Sequence, residues 1–263
     1  MIKMCVFDVD GTLFDLKTRT ILESTVVALK KLQENGIKIC VASGRCHYAL
    51  GSTLNALNFD YVVAVNGAVV VDKDKNILYR NDFTQDDVNQ LNEFCYEYDA
   101  GLIWKFIDHM YVYQNPDKVH WYAKQIASDI GKEPFIDCFE KNRHLVDIPQ
   151  SCSIHVDPLA VSEVFGDSST IDFIQYSADG YDVVVKGNDK GKGLHQLLAM
   201  TGVSEDEVIV FGDNLNDLAM FKVAGVGVAM GNAVDEVKQI ATYITDDSDQ
   251  DGIYNACKHF NLI

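Results

Sequence analysis

Cys5-Val6-Phe7-Asp8-Val9-Asp10-Gly11-Thr12-Leu13 is the stretch on which the reading of this 263-residue chain turns. Residues 2–7 form a short apolar run, the pattern of a strand buried on both faces. An acidic loop follows at once. Ligands of an open α/β sheet bind beyond the carboxyl ends of its strands, so a loop that curls there can aim Asp8 and Asp10 into one pocket. Gly11 would supply a sharp turn, and Thr12 a hydroxyl that bonds back to hold it. A carboxylate can act as a nucleophile toward phosphorus. A second carboxyl group two residues on can protonate a leaving alkoxide and later deprotonate a water. Taken alone, the same residues also describe a solvated Asp-Gly turn.

Outward from this loop, strands and helices alternate. Residues 24–35 have helical spacing and stop at Asn35-Gly36. Strands are expected over 37–42 and 61–65, with a helix over 53–57 between them. That order implies a parallel sheet. Asn66-Gly67 allows a tight hairpin between 62–65 and 68–71. The alternative, preferred here, pairs 69–71 with 77–79 across the charged turn 72–76. From residue 83 the texture changes. All four prolines lie in 83–186, which carries 7 basic and 18 acidic residues, a net of −11, against −6 for the flanks. Helices are expected there over 84–98 and 116–130, mixed with short strands. After 187 the α/β rhythm returns, with helices over 194–200, 217–223 and 234–241 and strands over 208–211, 226–230 and 243–245. The expected organisation is a core of 1–82 and 187–263, interrupted by an inserted domain, 83–186.

Composition narrows the function classes. The net charge is −17, which disfavours nucleic acid and anionic membranes as partners. Seven cysteines without a Cys-x-x-Cys fit a reducing compartment, so a cytoplasmic protein is expected. No signal peptide and no membrane span is expected. Three decoys fail on spacing. The glycines around Lys190 do not form a P-loop, those of 225–231 are one residue too long for a dinucleotide fingerprint, and no His-x-x-x-His pair marks a zinc site.

A second acidic cluster, Gly212-Asp213-Asn214-Leu215-Asn216-Asp217, also follows an apolar strand. Oxygen ligands at a strand end suit Mg²⁺. Asn216 or Asp217 could equally cap the next helix. Ser43 can donate to a phosphate oxygen or cap a helix. Lys190, placed just before a helix, is disfavoured by the helix dipole and calls for an anion nearby.

Together these segments resemble the haloacid dehalogenase-like (HAD) superfamily. Phe7-Asp8-Val9-Asp10-Gly11-Thr12-Leu13 is similar to its first motif and Val41-Ala42-Ser43-Gly44-Arg45 to its second. Lys186-Gly187-Asn188-Asp189-Lys190-Gly191 is similar to its third, and Phe211 to Met220 to its fourth. Asn66-Gly67-Ala68, Gly225 to Met230, Asn232-Ala233 and Asp251-Gly252-Ile253 resemble the Cof-type branch, subclass IIB. The resemblance covers the chain except the details of 83–186. It implies a Rossmann-like parallel-sheet α/β core with an inserted α/β cap. Asp8 would be the nucleophile and a Mg²⁺ ligand. Asp10 would be the general acid/base and lend its backbone carbonyl to the metal, and Asp213 would complete the metal ligands. Ser43, Gly44 and Lys190 would hold the phosphoryl group. Asn216 would touch phosphate or Lys190, and Asp217 would orient the site. Thr12, Arg45, Asn66 and Gly67 would support it. The cap would act as a specificity lid. Its aromatics Trp104, Tyr111, Tyr113 and Trp121 could stack on a substrate, although the alternation at 111–113 is that of an ordinary strand.

The expected activity is Mg²⁺-dependent hydrolysis of small phosphomonoesters, such as sugar phosphates, nucleotides or cofactor phosphates, by a monomer or homodimer. A sugar phosphomutase and a non-catalytic phosphometabolite sensor stay open as alternatives. The acidic cap is expected to favour neutral or cationic leaving groups.

Overall fold

β1 (Met4–Phe7) is buried along its whole length. Its neighbours are β2 (Lys38–Ala42) and β12 (Val208–Gly212), and both run parallel to it. Continuous apolar runs suit this position because a central parallel strand is covered on both faces. The computed structural model describes residues 1–18, 20–119, 135–136, 142–166 and 170–263. Trp121 and residues 120–130 of the helix expected over 116–130 lie outside them. Two units are distinguished: Met1–Gly44, Asn55–Tyr79 and Asp189–Ile263 form the first, and Arg45–Leu54 with Arg80–Asn188 the second.

The first unit is built on an eight-stranded sheet of order β14-β13-β12-β1-β2-β3-β4-β5. Its remaining strands are β3 (Tyr61–Ala64), β4 (Val69–Asp72), β5 (Ile77–Arg80), β13 (Val226–Ala229) and β14 (Tyr243–Ile244). On one face Val6, Cys40, Val63 and Val210 pack against Leu194, Leu197 and Phe221. Each fully buried side chain of this kind contributes about 1.5–3 kcal/mol. Helices Glu23–Glu34 and Gly252–His259 pack together and bury Leu29, Leu32, Ile253 and Ala256. The chain leaves β1 toward β2 on one side and reaches β12 on the other. The strand order therefore reverses at β1, which opens a crevice at the carboxyl ends of β1 and β12.

The choice posed at Asn66-Gly67 was a false one. β3 pairs antiparallel with β4 across that turn, and β4 also neighbours β5 across the 72–76 turn. Both turns close hairpins because each has its own geometry. Asn66 takes a left-handed conformation (φ 49°), while the Asp72 carboxylate accepts from the backbone N–H groups of Asp74 and Asn76.

The second unit carries a six-stranded sheet of order β10-β11-β9-β6-β7-β8. These are β6 (Gly101–Lys105), β7 (Met110–Gln114), β8 (Phe135–Ile136), β9 (Ser151–His155), β10 (Ile171–Gln175) and β11 (Gly180–Val185). Its helix Gln85–Glu97 starts at a capping box in which Thr84 and Asp87 each accept from the other's backbone N–H. Leu91 and Phe94 of that helix join Trp104, Cys152, Ile154 and Val183 in one core. The opposite face of the sheet is polar: Lys105 Nζ and Ser153 Oγ both donate to Asp182 Oδ1, each at 2.7 Å.

Two of the aromatics suggested for stacking are accounted for by this core. Trp104 and Tyr113 are buried in it, and the Trp104 indole donates to Asn92 Oδ1 at 2.9 Å. Rings buried to this degree offer little face to a substrate, and the alternation at 111–113 is the strand pattern of β7. The six cysteines among the described residues are buried and free. Among the described residues, no helix is long and apolar enough to cross a membrane.

Candidate active site

Asp8 and Asp213 stand just beyond the paired ends of β1 and β12. The register sets Phe7 opposite Phe211, their rings stack at 4.7 Å, and Asp8 N donates to Phe211 O at 2.9 Å. Two apolar strands held side by side thus deliver two carboxylates to the same crevice. Ser43 follows β2, and its N–H donates to Val63 O at 2.8 Å. Lys190 is the first residue of the helix Lys190–Thr201, whose N-cap is Asp189.

Lys190 joins these pieces. Its ammonium donates to Asp8 Oδ1 at 2.5 Å and to Asp217 Oδ1 at 2.6 Å. Both Lys190 and Asp217 are 0% exposed. A lysine at a helix N-terminus meets the wrong end of the dipole. Here carboxylates of its own chain offset that cost before any ligand arrives. Burial pulls the Lys190 ammonium down, but Asp217 and then Asp8 outweigh it and hold it above the ordinary lysine value.

The carboxylates are more numerous than the cation beside them. Asp8, Asp213 and Asp217 each place an oxygen within 4.8 Å of the others, and all three are buried. Burial and then the Asp217 charge push Asp8 well above the usual carboxylate range, although Lys190 opposes the shift. Asp213 is pushed up to about 6 by burial and by Asp217, against the hydrogen bond from Thr12. One ammonium among three buried carboxylates leaves negative charge uncompensated, which is costly in a low-dielectric site. A hard divalent cation with oxygen ligands would compensate it, so the donor set fits Mg²⁺. Asp217 is the carboxylate least able to turn toward such an ion. Its Oδ1 holds Lys190, and its Oδ2 accepts from Asp213 N and Asn214 N at 2.9 and 3.0 Å.

The loop after β1 keeps its shape through contacts far away in sequence. The backbone N–H of Thr12 donates locally, to Val9 O at 3.4 Å, but its side chain does not close the turn. Its hydroxyl donates to Asp213 Oδ1 at 2.8 Å, across 201 residues. Gly11 has φ +100°, and a Cβ there would sit 2.2 Å from an Asp213 oxygen. Gly67 has φ +91°, and a Cβ there would meet the Asp189 carbonyl at 1.9 Å. Glycine at 67 therefore lets the Val65–Gly67 turn press against the start of the Lys190 helix. Asn66 N donates to Ser43 O at 3.0 Å, tying that turn to the loop after β2. Among the described residues, the buried Asn66 Oδ1 has no hydrogen-bond partner. Such an orphan costs about 1–3 kcal/mol until a donor meets it.

Other expected residues are placed differently. Asn216 lies exposed on the turn Leu215–Asp217, whereas the hydrogen bonds of Lys190 run to Asp8 and Asp217. Asp217 holds the N-cap position of the helix Leu218–Val223 without a side-chain cap bond, and the preceding turn is capped by Asn214 in a box with Asp217. Asn214 already has the extended backbone that a cap requires. Asp10 is exposed beyond the turn, Gly44 is half-buried beside the Asn66 amide, and Arg45 groups with the second unit. Asn232, singled out by sequence without a role, donates to Gly11 O at 2.8 Å. Only a contact between segments 221 residues apart reveals that bond.

The model of the family described as haloacid dehalogenase-like hydrolase matches residues 5–257. Pyridoxal phosphate phosphatase YbhA of Escherichia coli (strain K12) is 29% identical, with 95% of this chain and 96% of that protein covered. The 5-amino-6-(5-phospho-D-ribitylamino)uracil phosphatase YcsE of Bacillus subtilis (strain 168) is 25% identical, with 99% and 96% covered. Among solved structures, the HAD subclass IIB sugar phosphatase BT4131 is similar with a TM-score of 0.84 at 28% identity, over 99% of this chain and 100% of that one. The paired strand ends, the buried lysine among carboxylates and the matching family model lead to one conclusion: the chain belongs to the haloacid dehalogenase-like hydrolases, as a phosphatase of the Cof-type subclass IIB branch.

Proposed function

We propose that the protein is a Mg²⁺-dependent phosphomonoester hydrolase of small metabolites that works through an aspartyl-phosphate on Asp8. The observation that carries this reading is the chain of contacts Asp8–Lys190–Asp217, with Asp213 and Thr12 alongside. A phosphoryl group in transfer needs positioning and positive charge more than covalent help. Asp8, Asp213 and the Asp10 backbone carbonyl would hold Mg²⁺, which when bound supplies positive charge against the phosphoryl oxygens.

The protein's own groups divide the reaction between them. A carboxylate oxygen of Asp8 attacks phosphorus, and the ester P–O bond breaks as the P–O bond to Asp8 forms. Asp10 gives its proton to the departing alkoxide. Asp10, now ionised, takes a proton from water as that water attacks the phosphorus, which releases phosphate and restores Asp8. Lys190 and Ser43 hold the phosphoryl oxygens, with Gly44 and Asn216 as further contacts. Asp217 keeps Lys190 charged and in place. The second unit serves as the specificity lid, with Arg45 at its start.

Relatives named for pyridoxal phosphate, a phosphorylated ribitylaminouracil and a sugar phosphate point to small monoesters as the substrate class. The test is free-phosphate release across a panel of such esters with Mg²⁺ and in excess EDTA. Metal-dependent release from some members is expected. Undiminished release in EDTA would remove the metal from the mechanism. The net charge of −11 on 83–186 adds a ranking: monophosphates with neutral or cationic leaving groups over bisphosphates. The reverse ranking would count against the lid reading.

A further inference from the structure

We infer that Asn232 is a positioning residue for the general acid/base Asp10. This rests on the reading of Asp10 given above. The side-chain amide of Asn232 makes two hydrogen bonds at once. Its Nδ2 donates to Gly11 O at 2.8 Å, and its Oδ1 accepts from Ser248 N at 2.9 Å. An amide suits this task because it offers a donor and an acceptor on one rigid plane. The loop that carries Asp10 is thereby fastened to the loop after β14.

Gly11 needs such a fastening. It sits next to Asp10 with φ +100°, and glycine has the widest conformational freedom of any residue. Its N–H donates to Phe14 O at 2.8 Å, and the Asn232 bond holds its carbonyl. The peptide groups on both sides of Gly11 are then fixed, and with them the direction in which the Asp10 side chain leaves the backbone. The next turn is anchored to the same place. Ser248 Oγ donates to Asp15 Oδ2 at 3.4 Å, while Asp15 Oδ1 accepts from Lys17 N and Thr18 N. The exposed Asn232 thus acts on the reacting groups through Gly11.

The role can be separated from a general structural one by leaving-group dependence. An alkyl phosphate needs its leaving oxygen protonated, whereas p-nitrophenyl phosphate departs as a stable anion. Misplacing Asp10 should therefore slow the alkyl ester more. The quantity to compare is kcat/KM, because it ends at leaving-group departure and excludes the later hydrolysis of the aspartyl-phosphate. Asn232→Asp keeps the Ser248 bond but sets an anion against the Gly11 carbonyl. Asn232→Ala removes both bonds without adding charge and serves if the first variant folds poorly.

Loss of one hydrogen bond of this kind predicts a fall of about 2–10-fold in kcat/KM on an alkyl phosphate. The fall on p-nitrophenyl phosphate should be under about twofold, with melting temperature nearly unchanged. Asp10→Asn is run beside them. If Asp10→Asn shows the leaving-group dependence and both Asn232 variants lose activity equally on the two esters, or not at all, the inference is wrong and the proposed function stands. If Asp10→Asn shows no such dependence, the reading of Asp10 fails and the inference falls with it.

Discussion

Among the described residues two lysines are buried, one in each unit, and their surroundings differ. Lys105, 3% exposed, donates to Asp182, whose side chain is still 18% exposed. Among the described residues one cation here faces one carboxylate, and Ser153 shares the same oxygen. Lys190 faces Asp8 and Asp217 directly, with Asp213 beside them. A balanced pair closes a structure. An unbalanced cluster stores a demand for positive charge, which is what a site for a metal ion and a phosphate requires. The comparison also settles the puzzle of a net charge of −17 on a protein that handles an anion. The global field repels polyanions, but in the proposed reading one buried ammonium and a cation at Asp8 and Asp213 would govern a single phosphate locally.

The largest expected effect lies at Asp8. Asp8→Asn should reduce phosphate release by about a thousandfold or more, since it removes the proposed nucleophile. Because it also removes an excess charge, its melting temperature in metal-free buffer should equal or exceed that of the parent. A variant that is inactive because it is unfolded would break the contrast between the two lysine environments.

A smaller effect separates the lysines themselves. Lys190→Met leaves three buried carboxylates without their cation and should cost about 3–5 kcal/mol in urea unfolding. Lys105→Met leaves one partly exposed carboxylate and should cost only about 1–3 kcal/mol. Equal losses would mean that the difference in balance has no energetic weight.

The smallest effect is a pH dependence. Asp213 is pushed up to about 6 in the folded protein by burial and then by Asp217, against about 3.9 when unfolded. The folded state therefore binds this proton more tightly than the unfolded state does. The resulting stabilisation is complete below about pH 4 and is lost as pH rises through about 6. Asp213→Asn has no such proton to lose. In metal-free buffer its melting temperature should gain on the parent's between about pH 4 and 6 and then keep that lead. A constant difference across the range would show that Asp213 titrates as an ordinary surface carboxylate.

Much of the core was legible because its signals are local. Apolar runs such as 208–211 announce buried strands, and the acidic residues that follow them must stand at strand ends. Where an expectation failed, the deciding contact was remote or the competing signals were both true. Asn66-Gly67 and the 72–76 stretch each carried a valid turn signal, and the chain used both. Trp104 and Tyr113 looked available for stacking because a sequence does not record which face of a strand is covered. Arg45–Leu54 follows Ser43 and Gly44 directly, yet it groups with the second unit. Nothing in its residue pattern announces that, because the grouping depends on bonds such as Tyr48 OH to Phe106 O, 58 residues apart.

The sequence by itself determined the order of strands and helices in the segments flanking 83–186, the strand ends that carry Asp8, Ser43 and Asp213, and the family resemblance. These depend on periodicity and on residue types at fixed short spacings. Only the tertiary structure decided that Lys190 rests on two carboxylates, that Thr12 reaches Asp213 and that Asn232 holds Gly11. Hydrogen bonds and charge balance depend on distances through space, and those distances exist only once segments some 200 residues apart have been folded together.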